Sequence, residues 1–380
     1  MVDLYGQYQK IQQEIDTAIQ EVVEDSAFVR GKAVCDFEKN LAQYLEIQHV
    51  VSCASGTDAL TIALMALDLH PGDEVITTPF TFFATAEAIA FLGLRPVFVD
   101  VCPDTYNMDV SQIESAVTSR TRAILPVHLF GQCAEMEPIL EVARRHQFYV
   151  IEDACQSLGA EYTFSDGRKA KAGTMGDIGC TSFFPSKNLG CFGDGGALFI
   201  RDENLASRVR RIANHGSSCK YHHDEIGMNS RLDTIQAAVL NVKLRYLDDY
   251  NAARQQAAAL YTQMLQDCSS VELPVQAAFS SHIFHQYTLR LCHVDRDGVQ
   301  NSLREAGIPT MVYYPIPCHL QKAMASLGYL PGSFPVAEQL SSQVLSLPMH
   351  TELTISQQQK IIHNLKIALS QHRCAGESSK

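Results

Sequence analysis

The sequence predicts an α/β protein, with a large mixed-sheet domain followed by a smaller α+β domain. Two observations carry that prediction. Short apolar, β-rich runs alternate with helical ones over the first 240 residues, and those runs are continuously apolar rather than alternating. A sheet covered by helices on both faces produces that pattern. After about residue 235 the rhythm changes to a long helical run, a strand-like YTLRL and a Pro-rich segment. The ranges expected are 1–240 for the large α/β domain and 241–380 for the small C-terminal one.

The elements follow in order. Ile11, Ile15, Ile19 and Val22 form one apolar helical face over 7–24. A second helix starts at Ser55-Gly56-Thr57-Asp58 and runs through ALTIALMAL. Strands are expected at 74–78, 96–100, 123–128, 149–152, 180–184 and 197–200, with a helix over 136–146. The run 234–265 has few breakers and reads as one long helix. Beyond it come the strand YTLRL, a helix over 297–306 and a last helix near 355–370. The polar tail CAGESSK is expected to fray.

The 380 residues are 46% hydrophobic and 19% charged, which suits a globular chain with a large core. A formal charge of -12 argues against a dominant nucleic-acid surface but allows a local basic pocket. None of the 12 cysteines forms a C-x-x-C pair, so no zinc knuckle or thioredoxin-type motif is offered. The apolar stretches 61–69 and 84–94 are broken by Asp68 and Glu87. Neither reaches the roughly 20 residues of a membrane helix. A soluble, reduced, cytoplasmic protein with no nucleic-acid or membrane partner is expected.

Three segments carry chemistry. Ser55-Gly56-Thr57-Asp58 opens a helix. Free N–H groups there can hold an anion, although Ser and Asp at a helix start are often only caps. Glu152-Asp153-Ala154-Cys155-Gln156 ends an apolar strand, where α/β sheets bind ligands and where turns also lie. Lys187 lies in the aromatic, Gly-rich SFFPSKNLG. Desolvation there would lower its pKa and make it able to form a Schiff base; otherwise it is a solvated loop lysine. The glycines of GCFGDGG lack dinucleotide-fingerprint spacing, and no Walker A pattern occurs. Together, a phosphate cradle, a carboxylate and a lysine are the parts pyridoxal 5'-phosphate requires.

SGTDAL, TPFTFFATAEAI, IEDACQSLGA, SFFPSKNLGCFGDGG, NSRLDTIQAA and YYPIPCHLQ closely resemble the DegT/DnrJ/EryC1/StrS sugar aminotransferases. These are fold-type I pyridoxal-phosphate enzymes, and the resemblance spans nearly the whole chain. It implies that Lys187 binds the cofactor and moves the proton, while Asp153 faces the pyridine nitrogen and Gln156 the ring hydroxyl. It implies that Phe82 stacks on the ring and that Gly56, Thr57 and Ser182 hold the phosphate. Asn229 would reach that phosphate from a neighbouring subunit in a homodimer, and Arg231 would enter the partner's site near the substrate. Relatives with histidine in place of the lysine are dehydratases, so Lys187 implies transamination. Cys155 and Ser157 stand where alanine is usual or frequent, and both are small.

The segment NHGSSCKYHHDEIGMNSRLDT, with GQCAEMEPI and VLSLPMH, resembles the branch that aminates UDP-2-acetamido-2-deoxy-3-oxo-glucuronate for bacterial surface polysaccharide. L-Glutamate is the implied donor. Arg231 suits a substrate carboxylate because guanidinium binds it in a fork. Arg208, Arg210 and Arg211 read as a solvated helix face or as part of a cationic pocket. Tyr313, Tyr314 and His319 are candidate substrate contacts, although the branch often has histidine at position 313. His282-x-x-His285 has no further ligand at metal spacing, and no metal is expected. The competing readings are the same chemistry on another nucleotide-linked 3-oxo or 4-oxo sugar, and a non-catalytic cofactor-binding regulator.

Overall fold

In the computed structural model, which describes residues 1–374, alternate residues of each central strand feed two different cores. Val51, Val75 and Ile151 face one core, and Val50, Ile76 and Val150 face the opposite side. A strand places successive side chains on opposite faces, so a sheet buried on both must be apolar at every position. The expected tail lies outside the described residues, apart from Cys374.

The strands in chain order are β1 (His49–Cys53), β2 (Glu74–Thr77), β3 (Arg95–Phe98), β4 (Thr121–Ile124) and β5 (Tyr149–Asp153). A small hairpin, β6 (Glu161–Thr163) and β7 (Lys169–Lys171), precedes β8 (Ile178–Ser182) and β9 (Gly196–Ile200). The central sheet runs β1-β9-β8-β5-β4-β2-β3. β9 is antiparallel to both its neighbours, and β8, β5, β4, β2 and β3 are mutually parallel. The sheet is therefore mixed, as expected, with β1 as an additional edge strand. The expected strand at 123–128 stops early because Pro126 has no N–H to give. Pairing resumes beyond it, where Val127 bridges Asp153.

The helices of this part are α1 (Leu4–Lys10), α2 (Gln12–Asp25), α3 (Lys32–Leu45), α4 (Gly56–Ala66), α5 (Ala84–Phe91), α6 (Ile113–Ala116), α7 (Met136–His146), α8 (Glu203–Ile212) and α9 (Thr234–Leu244). α4, α5 and α8 cover one face of the sheet. α3, α7 and α9 cover the other. The helix expected over 7–24 breaks at Ile11, whose N–H bonds back only three residues, to Tyr8. Ile11 and Ile15 both pack on Val239 and Val242 of α9.

After the short ribbon β10 (Ser217–Cys219) and β11 (His222–His223), the chain enters α10 (Leu247–Leu265). The single helix expected over 234–265 is thus two. Arg245 and Tyr246 bond to carbonyls three residues back, and both side chains reach Glu14 of α2. The backbone ladder tightens at this point. Leu240, Leu244 and Leu247 join the sheet core, whereas α10 from Ala257 onward joins a second core. The second core comprises an antiparallel sheet of β12 (Val271–Glu272), β13 (Tyr287–Leu291) and β14 (Val344–Leu347), with α11 (Arg296–Glu305) and α13 (Ile355–Gln371) on it. Between α11 and α13 lies α12 (Pro335–Gln343). A third cluster, with Phe80, Phe98 and Phe130 against Cys318, Phe334 and Leu340, joins the two parts. No helix among the described residues is long and apolar enough to cross a membrane.

Candidate active site

The C-terminal ends of β5 and β8 and the start of α4 converge on one cavity of about 600 Å³. Open α/β sheets bind ligands at this edge. Gly56, Thr57, Phe82, Asp153, Gln156, Ser182, Lys187, Tyr313 and Tyr314 all line it.

α4 begins where the reading of SGTD expected. Ser55 Oγ accepts from the N–H of Asp58 at 3.0 Å, so Ser55 is a cap. Asp58 turns away and accepts from Ser230 Oγ at 2.6 Å. The N–H groups of Gly56 and Thr57, at the helix start, have no intrahelical acceptor. A Cβ on Gly56 would lie 2.7 Å from the Cβ of Ser182. Glycine there lets the helix start touch the end of β8, which leaves backbone N–H groups and the Ser182 hydroxyl around one small space. A phosphate fits that cradle.

Glu152 and Asp153 are neighbours on β5, and the pleat sends them to opposite faces. Glu152 is fully buried and accepts from the N–H groups of Gly173, Met175 and Gly176 and from His128 Nε2. His128 Nδ1 in turn accepts from the N–H of Ala134. Every atom of that cluster is committed to holding loops. Asp153 faces the cavity and is 5% exposed. Its Oδ2 accepts from Thr85 Oγ1 at 2.8 Å and its Oδ1 from the N–H of Cys155 at 3.2 Å. A carboxylate has about four acceptor sites, so capacity remains for a donor in the cavity.

Lys187 is half-buried as a residue and has no hydrogen-bond or ion-pair partner among the described residues. Burial of its amine pushes the ammonium pKa down, and Cys155 and Asp153 pull the other way. A lysine with space beside it and a depressed pKa has the properties of a Schiff-base nucleophile. Gln156 spans two elements: its Oε1 accepts from the N–H of Phe130 and its Nε2 donates to Tyr314 Oη, both at 2.9 Å. Burial raises the Tyr314 phenol pKa, so this hydroxyl stays protonated. Phe82 is 58% exposed on the rim, 6.2 Å from the Tyr314 ring. The lysine, the carboxylate and the Gly56 cradle on one wall fit pyridoxal phosphate.

Three of the expected residues are not in this cavity. His319 is buried outside it, with Nε2 3.0 Å from Glu338 and its ring against Phe334. Placing it beside the substrate is corrected: the PIPCH segment turns it inward into the cluster that joins the two parts. Asn229 is exposed beyond β11, and Arg231 lines a separate small cleft with Arg30 and Arg210. The arginines of α8 remain partly solvated, but each is paired with a carboxylate. Arg208 pairs with Asp68 and Glu225, Arg211 with Glu225 and Arg210 with Glu38.

The cavity also contains residues the sequence reading did not single out, among them Thr81, Ser186, Asp194 and Gln286, as well as His285. His285 is the second half of the His282-x-x-His285 pair. No group of potential metal ligands occurs among the described residues, and His285 Nδ1 instead lies 3.2 Å from Asn188 Oδ1. Its imidazole is kept neutral by burial and by the nearby Lys187 and Arg254 charges.

Comparison with known proteins agrees with this geometry. A protein called pleiotropic regulatory protein from Geobacillus stearothermophilus is 47% identical over 367 residues, 96% of this chain and 97% of that protein. The UDP-2-acetamido-2-deoxy-3-oxo-D-glucuronate aminotransferase of Pseudomonas aeruginosa is 45% identical over 93% of this chain and 95% of that enzyme. The crystal structure of DesV from S. venezuelae in complex with a ketimine intermediate superposes with a TM-score of 0.92 at 40% identity, covering 97% of each chain. The DegT/DnrJ/EryC1/StrS aminotransferase family model matches residues 9–366. By motif, cavity and family match, the chain belongs to the DegT/DnrJ/EryC1/StrS aminotransferase family and is a pyridoxal-phosphate-dependent enzyme.

Proposed function

We propose that the enzyme transfers an amino group from L-glutamate to C3 of a nucleotide-linked 3-oxo sugar. The sugar we favour is UDP-2-acetamido-2-deoxy-3-oxo-D-glucuronate; the enzyme works in the cytoplasm and its product feeds surface polysaccharide. The observation that carries the reading is the joint presence of Lys187, Asp153 and the Gly56 cradle in one cavity. The Pseudomonas relative named for that substrate, at 45% identity, supports the sugar.

Bound pyridoxal phosphate supplies a carbonyl that takes up the amino group and a ring that accepts electron density. Gly56, Thr57 and Ser182 hold the phosphate. Asp153 accepts the proton-bearing ring nitrogen's hydrogen bond and keeps that proton in place. Gln156 orients the ring hydroxyl while tied to Tyr314, and Phe82 closes over the ring face. Lys187 Nζ takes the proton from the donor's α-carbon and returns one on the sugar half-reaction, as a general base whose pKa lies below an ordinary lysine's. Tyr313 and Tyr314 meet the sugar. Asn229 and Arg231 lie off their own chain's cavity, as residues serving a neighbouring copy would, and we assign the working unit as a homodimer.

The regulator reading has one observation behind it, the name of the Geobacillus relative. It predicts cofactor colour without amine transfer. The deciding experiment treats cofactor-loaded protein with excess L-glutamate, removes it, then adds the UDP-3-oxo sugar. We expect 2-oxoglutarate in the first step and rapid return of the visible band in the second. Failure to release 2-oxoglutarate with any amino donor would favour the regulator. Return of the band only with a 4-oxo or dTDP-linked sugar would replace the substrate. Asp153→Asn should lower turnover by about 100-fold or more with the cofactor still bound.

A further inference from the structure

The carboxylate in the cavity is itself held by a pair of hydroxyls. Thr81 is 3% and Thr85 1% exposed, and their Oγ1 atoms lie 3.1 Å apart. Thr85 Oγ1 donates its one proton to Asp153 Oδ2 at 2.8 Å. Thr81 must therefore donate to Thr85. The order is Thr81 to Thr85 to Asp153, and each donor polarises the next.

Thr85 is the second residue of α5, so the carbonyl four residues back, that of Thr81, lies before the helix. That carbonyl accepts from Cys318 Sγ. Thr61, inside α4, instead bonds to the carbonyl of Thr57 at 3.0 Å. Thr85 gives its proton to a carboxylate 68 residues away in sequence.

We propose that Thr85, supported by Thr81, is a positioning residue that fixes the rotamer of Asp153, so that the free lone pairs of the carboxylate point at the cofactor's ring nitrogen. With Cys155 N–H on Oδ1, both carboxylate oxygens are anchored from the protein side. This inference depends on the reading of Asp153 given above.

The test compares Thr85→Val, which keeps shape and removes the donor, with Thr85→Ser, which keeps the donor, and with Asp153→Asn. Equilibrium dialysis of apoprotein gives pyridoxal phosphate affinity, a pH titration of the visible band gives its midpoint, and apoprotein melting gives stability. We expect Thr85→Val to weaken cofactor binding about tenfold and to shift the band midpoint, the scale of losing one hydrogen bond to a charged group. Thr85→Ser should restore both. Thr81→Val should act in the same direction with a smaller effect. If Asp153→Asn changes affinity and band while Thr85→Val changes only apoprotein melting, the threonine is structural and the proposal falls. If Asp153→Asn itself leaves the band and affinity unchanged, the assignment of Asp153 falls first.

Discussion

Two buried lysines near one loop make opposite uses of burial. Lys187 lies in the cavity, and Lys243 of α9 lies beneath the segment that follows it. Burial lowers the pKa of both. Lys243 is only 2% exposed; its Nζ donates to the carbonyl of Gly190 at 2.8 Å and sits 4.9 Å from the Phe192 ring centroid. It fills its space and has partners. Lys187 has space and, among the described residues, no partner. A depressed pKa alone therefore does not identify a nucleophile; what distinguishes the two sites is an amine left unengaged beside room for a ligand.

The largest expected effect would break the comparison at its first member. Lys187→Ala should cut turnover about 10⁴-fold, the upper range for a lost proton-transfer group. Apoprotein melting should not fall, since no hydrogen bond or ion pair is lost. Single-turnover kinetics and calorimetry on the same preparation check both. A residual rate within tenfold of wild type would mean that another group moves the proton.

Next in size is the room itself. Gly56→Ala places a methyl 2.7 Å from Ser182 Cβ. Overpacking on this scale costs about 1–3 kcal/mol. Cofactor affinity measured by dialysis should drop roughly 10- to 100-fold. Unchanged affinity would show that the end of β8 yields freely and that the cradle is not tight.

The smallest effect on activity belongs to Lys243→Met, expected within a few-fold of wild type. Its signature is in stability against pH. The Lys243 pKa falls from an ordinary 10.5 to about 8 in the folded chain. Between those values the unfolded chain binds more protons, so the penalty for burying the charge is full below pH 8 and disappears as pH rises through the window. Wild type should gain stability relative to Lys243→Met between pH 8 and 10, by no more than ~3 kcal/mol. Denaturant melts at three pH values measure it, and a flat difference would mean that Gly190 and Phe192 fully compensate the charge.

The parallel strands and the helix over Met136–His146 were legible in sequence because their burial is local and periodic. β1 was missed: five residues become a strand only by pairing with β9, about 150 residues later. The break at Arg245 was hidden as well, since no glycine or proline marks it. In the site, motif resemblance brought nine residues into one cavity, but a linear reading could not say which way a ring faces. His319 turns inward toward Glu338, and Thr85 reaches Asp153, through tertiary contacts that leave no periodic trace.

Glu152 and Asp153 carry the same charge one residue apart, yet one is wired into the 173–176 loop and the other opens to the cavity. Their division of labour is a matter of parity. A one-residue gain or loss within β5 would turn the loop-holding carboxylate toward the cofactor and bury the other without its donors. Length changes in β5 are therefore tolerable only in pairs, and the strand counts its residues as strictly as a reading frame does.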